Sequence, residues 1–133
     1  MATRQYAKHF LPLESNPEVF TELIHKLGVS TSLKFVDVFS LNEPELLPAS
    51  PLAYILLFPT SETYETESAT QRASSEQYAE SGEIEGIIWF KQTIHNACGL
   101  YAILHAVCNV DRNLISKYTR LSPLYPSWGY ICE

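Results

Sequence analysis

Long apolar runs are missing from this 133-residue sequence; no window approaches 18 uninterrupted apolar residues, which argues against a membrane-spanning helix. The opening residues, Met1-Ala2-Thr3-Arg4-Gln5-Tyr6-Ala7-Lys8, carry charge with no hydrophobic signal core behind them, so a soluble, non-secreted protein is expected. Cysteine is scarce: Cys98, Cys108 and Cys132 are odd in number and in no metal-ligand spacing, which speaks against a disulfide framework or a zinc site. A reducing compartment follows, cytoplasmic or also nuclear, with no metal or other cofactor expected. Basic clusters interleaved with aromatics are absent too, so neither nucleic acid nor membrane is an expected partner, and the chain is read as a monomer. No internal repeat occurs.

What is present suffices for one core. At 46% hydrophobic and 12% aromatic, residues 1–133 read as a single domain. The net charge of −6 is local: Glu62, Glu65, Glu67, Glu76, Glu80, Glu83 and Glu85 face one base, Arg72, while the other eight acids are balanced by eight bases. That stretch, 60–85, also holds nine Ser or Thr and few large apolar residues. Its composition predicts a mobile acidic loop, with at most a frayed helical piece.

His9–Leu13 reads as a short strand limited by Pro12. A helix follows, with Asn16 as N-cap, Pro17 in its first turn, Glu18 complementing the dipole and Gly28 just past its end. Its stripe of Val19, Phe20, Leu23, Ile24 and Leu27 is core. Lys34–Phe39 and Ala53–Phe58 read as strands buried on both faces, which points to a layered α/β or α+β fold. Glu43–Pro48 allows at most a helical turn. A second amphipathic helix is predicted over Asn96–Asn109, with Leu100, Ile103, Leu104, Val107 and Cys108 inward. Asn113–Lys117 could add a short helix, and residues 121–133, with Pro123, Pro126 and Gly129, read as an irregular tail.

The chemistry-bearing stretch is Trp89 to Ala106. Cys98 opens a helix, where unpaired N–H groups favour a thiolate over the thiol of ordinary pKa ~8.5. Gly99 is expected to leave open space beside the sulfur for a substrate backbone. Gln92, six residues earlier, could fold back to donate to an oxygen becoming negative, forming an oxyanion hole with the Cys98 backbone N–H. From residue types alone, Cys98 reads more readily as a small buried hydrophobe than as a nucleophile.

Gln92-Thr93-Ile94-x-Asn96-Ala97-Cys98-Gly99, with Leu104-His105-Ala106 after it, resembles the active-site signature of the ubiquitin C-terminal hydrolases, papain-like thiol hydrolases. Leu11 to Val19, Lys26-Leu27-Gly28, Phe35 to Val38, Pro44 to Leu47 and Leu57-Phe58-Pro59 resemble that family in order and spacing, so the likeness covers about residues 9–109. The resemblance implies a central antiparallel sheet flanked by helices, here incomplete. It implies ubiquitin and its C-terminal adducts as substrates, Cys98 as the nucleophile attacking ubiquitin's terminal glycine carbonyl, and Gln92 as oxyanion donor. It further implies that the segment Pro12, Leu13, Glu14, Ser15, Asn16 and Pro17 contacts ubiquitin, although the same residues also serve as a strand end and a helix cap.

The family takes its catalytic histidine and acid from strands well beyond the cysteine. Here the last histidine is His105, ~10 Å along the same helix from Cys98 at 1.5 Å per residue, too far for direct proton transfer. His95 stands where the family has no base, His9 and His25 read as surface or helix-end residues, and Asp111 has no histidine to orient. The resemblance therefore implies a truncated catalytic domain, either acting as a deubiquitinase in a longer form or binding ubiquitin without turnover. A Cys98–Cys108 redox pair is excluded by a separation of ~15 Å on one helix.

Overall fold

Asn16 begins the ordered framework. In the computed structural model, which describes residues 8–75, 86–117, 119–121 and 123, its Oδ1 accepts the Glu18 N–H at 2.8 Å and starts helix α1, Pro17–Lys26. Such a cap is worth about 1 kcal/mol over alanine. Leu27 closes the helix, and Gly28 follows at φ +95°, a left-handed turn that lets the chain reverse. The reversal delivers Val29 to an antiparallel bridge with Ile115, flanked by Ser30 N–H to Leu114 C=O at 2.7 Å and Ser116 N–H to Gly28 C=O at 2.8 Å.

The second buried helix starts two residues later than its periodicity predicts. It runs Cys98–Cys108 and is labelled α3, because the helix Glu62–Ser74, α2, precedes it in the chain. Phe20 and Ile24 of α1 share one core with Ile103, Val107 and Cys108 of α3, joined by Val29, Ile115 and Leu121. Leu121, the first residue of the expected irregular tail, is thus a core member; residues 122 and 124–133 lie outside the described residues. Phe35 meets Phe20 edge to face at 5.5 Å and donates its N–H to Thr21 Oγ1 at 2.8 Å.

The helices and small sheet fit an incomplete α/β arrangement, but the central antiparallel sheet is not formed among the described residues. Strand β1, Lys8–His9, pairs in parallel with β2, Ile94–His95, with His9 opposite His95. The strand expected over His9–Leu13 therefore ends before Pro12. Residues 34–39 and 53–58 join no ladder, nor are they buried on two faces. Phe35, Ile55, Ile88 and Phe90 rest on the core, while their neighbours Val36, Tyr54, Ile87 and Trp89 are exposed. β-branched and aromatic residues favour a pleated, half-buried surface, but a ladder needs a partner edge, and none of the described residues supplies one. The turn at 43–48 is a 3₁₀ turn over Pro44–Leu46, and a second spans Arg112–Leu114, shorter than the helix allowed for 113–117.

The framework above occupies one compact unit, ending at Ile55 and resuming at Ile87; a second comprises Leu56–Gly86. Within the second, the acidic stretch is helical over Glu62–Ser74, designated α2, although none of its residues is buried. Local terms account for it. Ser61 Oγ accepts the Tyr64 N–H at 3.1 Å, Glu62 and Glu65 occupy the positive first turn and Arg72 the last. Residues 76–85 of the predicted loop lie outside the described residues.

Candidate active site

Asn96 sets up the site. It adopts φ +57°, a left-handed conformation that asparagine tolerates better than most side chains, and turns the chain from β2 into α3. The next residue, Ala97, is the N-cap and has no side-chain acceptor. Asn16 and Ser61 satisfy a first-turn N–H in α1 and α2; at α3 no cap side chain does so. The donors and the positive end of the dipole are left beside the first helical residue, Cys98. Cys98 is exposed, so it is not a buried hydrophobe, whereas Cys108 is buried in the core. Cys132 lies outside the described residues.

The space beside Gly99 is filled rather than open. A Cβ at this position would stand 3.3 Å from Leu13 Cβ, so the absence of a side chain lets the Pro12–Pro17 segment approach the helix start. The next residues of that segment, Glu14, Ser15, Asn16 and Pro17, line a shallow groove of ≈ 620 Å³ with Phe35, Val36, Asp37 and Phe39. Pro12 is exposed outside it. Cys98 does not line this groove; the structure connects the two through Leu13 alone.

Gln92 is half-buried, and its Nε2 donates to the Ile94 carbonyl at 2.9 Å. One N–H of the amide is thereby fixed and the other is available as a donor. Between Gln92 and Cys98 lie the two residues of β2 and the left-handed Asn96.

The histidines are occupied elsewhere. His9 stacks edge-on against His95 at 5.1 Å across the ladder, and His25 Nε2 meets the Leu33 carbonyl at 2.8 Å. Asp111 caps the 3₁₀ turn by accepting the Asn113 N–H at 2.9 Å. His105 Nε2 accepts the Phe90 N–H at 2.9 Å, and its ring stacks on Trp89 at 4.6 Å and Phe90 at 5.6 Å. Its neighbours on the helix act similarly. Asn109 accepts the Ile88 N–H at 2.8 Å and returns a bond to the Ile88 carbonyl at 2.9 Å. Tyr101 Oη accepts the Thr93 N–H at 3.2 Å and lies 3.3 Å from Thr93 Oγ1. Sequence reasoning missed these three; their signal was a polar residue at every fourth position of an otherwise apolar helix.

The Thr93 hydroxyl and N–H stabilise the Tyr101 phenolate and lower its pKa from the usual 10.0. Tyr101 should titrate below the usual tyrosine value, and Tyr101→Phe should remove that first step of the 295 nm absorbance titration. A folded pKa below the unfolded one adds stability only in the alkaline range where phenolate forms, and that contribution fades as pH falls through the folded pKa. An unchanged first step in the variant would refute the assignment.

Comparison with known proteins gives a family-model match, ubiquitin carboxyl-terminal hydrolase, family 1, over residues 10–126. The chain is 46% identical over 102 residues to ubiquitin carboxyl-terminal hydrolase YUH1 of Saccharomyces cerevisiae, covering 74% of this chain and 39% of that protein. It is 41% identical over 114 residues to a Drosophila melanogaster ubiquitin carboxyl-terminal hydrolase, covering 80% and 50%. The human isozyme L1 is 37% identical over 126 residues, covering 84% and 55%. The matched stretch thus spans about half or less of each relative's length.

Proposed function

The chain belongs to ubiquitin carboxyl-terminal hydrolase family 1, and on that premise we propose that it carries the nucleophile half of a thiol hydrolase acting at the C-terminal glycine of ubiquitin. The observation that supports this reading is an exposed thiol at the start of α3, where no cap side chain takes up a first-turn N–H, with the Gln92 amide six residues earlier already oriented by Ile94. The Cys98 sulfur would add to the glycine carbonyl, and the developing oxyanion would take N–H bonds from Gln92 and the Cys98 backbone, donors worth ~3 kcal/mol each. Expulsion of the amine then needs a proton, normally passed by a histidine held against the sulfur. His25 and His105 are committed to backbone groups and His9 packs against His95, so on this reading none of the four histidines passes that proton and the chain acts as a half-catalyst. Pro12 to Pro17 would receive ubiquitin, with Leu13 bringing that segment to the thiol's neighbour. A monomer working without cofactor in the cytoplasm or nucleus, where Cys98 stays reduced, completes the reading.

Ubiquitin with a C-terminal electrophile tests it. The purified chain should gain one adduct on Cys98, lost in Cys98→Ala, while a fluorogenic ubiquitin amide is not turned over. Absence of the adduct while a small alkylating agent still modifies Cys98 would sink the ubiquitin reading. Turnover abolished by Cys98→Ala would sink the half-catalyst reading.

A further inference from the structure

The side chains of Tyr101, His105 and Asn109 lie at i, i+4 and i+8, which places them on one stripe of α3. Each binds the backbone of the segment 88–93, and the order is reversed: Asn109 takes Ile88, His105 takes Phe90 and Tyr101 takes Thr93. Eight residues of helix rise ~12 Å and five of extended chain ~16 Å, so the two rows are of comparable length and the segment spans the stripe when it departs somewhat from full extension. The segment therefore runs antiparallel to the helix, from its C-terminal end towards the end where Cys98 stands. The last rung is at Thr93, adjacent to Gln92.

The geometry points to a positioning ladder: Tyr101, His105 and Asn109 hold the 88–93 segment in one register on α3 and so place the Gln92 amide at Cys98. They supply from side chains the partner edge that the segment lacks in any sheet. Residue type is demanding at each rung. Asn109 accepts from Ile88 through its amide oxygen at 2.8 Å and donates to the Ile88 carbonyl through its amide nitrogen at 2.9 Å, a pairing for which a primary amide has both atoms side by side. His105 must present an unprotonated Nε2 to an N–H donor, which assigns its proton to Nδ1. Its plane is held by Trp89, stacked within 9° of parallel. The part played by Gln92 rests on the hydrolase reading; the ladder itself does not.

Nuclear magnetic resonance on the full 133-residue chain tests it with His105→Phe, which keeps a stacking ring and removes the acceptor, and His105→Gln, which restores one. In His105→Phe the Phe90 amide should exchange about tenfold faster, and the Gln92 side-chain amide protons should move to free-glutamine positions, with the Ile24 amide of α1 unaffected. His105→Gln should recover most of both signals. Labelling of Cys98 by the ubiquitin electrophile should fall relative to labelling by a small alkylating agent. An Nε2–H tautomer of His105, or an unmoved Gln92 amide once Phe90 has been released, overturns the proposal. If His105→Phe also releases Ile24, Tyr101→Phe decides by the Thr93 and Gln92 signals: both moving supports the ladder, and Gln92 unmoved defeats it. Coupled Phe90 and Gln92 signals without ubiquitin labelling would leave the ladder standing and count against the hydrolase reading.

Discussion

Replacing Ile103 by alanine is expected to remove about 2–5 kcal/mol of folding stability, the range for truncating a buried aliphatic side chain. Ile103 is the one large side chain with 0% exposure among the described residues, and it belongs to the core that α1 and α3 share. The core is small, with nine buried apolar residues in the described part, and a domain of this size has only about 5–15 kcal/mol in total. The neighbours cannot refill the space, because Phe20 and Ile24 are fixed on α1 and Val107 on α3 itself. Urea unfolding followed by circular dichroism measures the loss. A change below about 1 kcal/mol would mean that the α1–α3 contact does not organise the chain.

The second large effect is expected at Gly28. Its φ of +95° is costly for any residue with a Cβ, and an added Cβ would stand 2.6 Å from Thr119 Cβ and closer still to the Thr119 methyl. Strain and overlap together predict a loss of about 2–4 kcal/mol for Gly28→Ala. The same unfolding measurement reads it, and Thr119→Gly in the same chain should recover the overlap but not the strain. If Gly28→Ala unfolds like the parent, the turn has another conformation in solution.

The parts legible in the sequence are those set by neighbours along the chain. Asn16, Pro17 and Gly28 bound α1 because a cap bond, a fixed φ and a left-handed turn are all local events. α3 begins at Cys98 rather than Asn96 because Asn96 takes a left-handed φ, which ends the turn and excludes it from the helix. α2 was underestimated because its composition was judged by burial, whereas Ser61 and the charges at its ends act without burial. Pairing is non-local, and there the reading failed. Val36 and Tyr54 have strand-forming neighbours, but propensity cannot create the partner that a ladder requires. At the site, the motif around Gln92 and Cys98 is legible because it is contiguous along the chain, and the start of α3 at Cys98 follows from the local turn at Asn96. The part played by His105 is not legible along the chain, because its contact with Phe90 depends on how the segment folds back onto α3.

The bare outer faces beside the core have a consequence for the life of the molecule in a crowded solution. Ile87 is 71% exposed, Trp89 67% and Val36 46%, each next to a residue anchored inward. Apolar side chains held at the surface by such anchors cannot retreat from water by a rotamer change, so they collect binding partners whose only qualification is greasiness. Molecular chaperones, dyes that brighten in apolar surroundings and other copies of the chain all meet that description. These outward residues therefore lower the concentration at which this protein stays dispersed, and a charged substitution at Ile87, which unlike Trp89 does not stack on His105, should raise it without disturbing the inward partner Ile88.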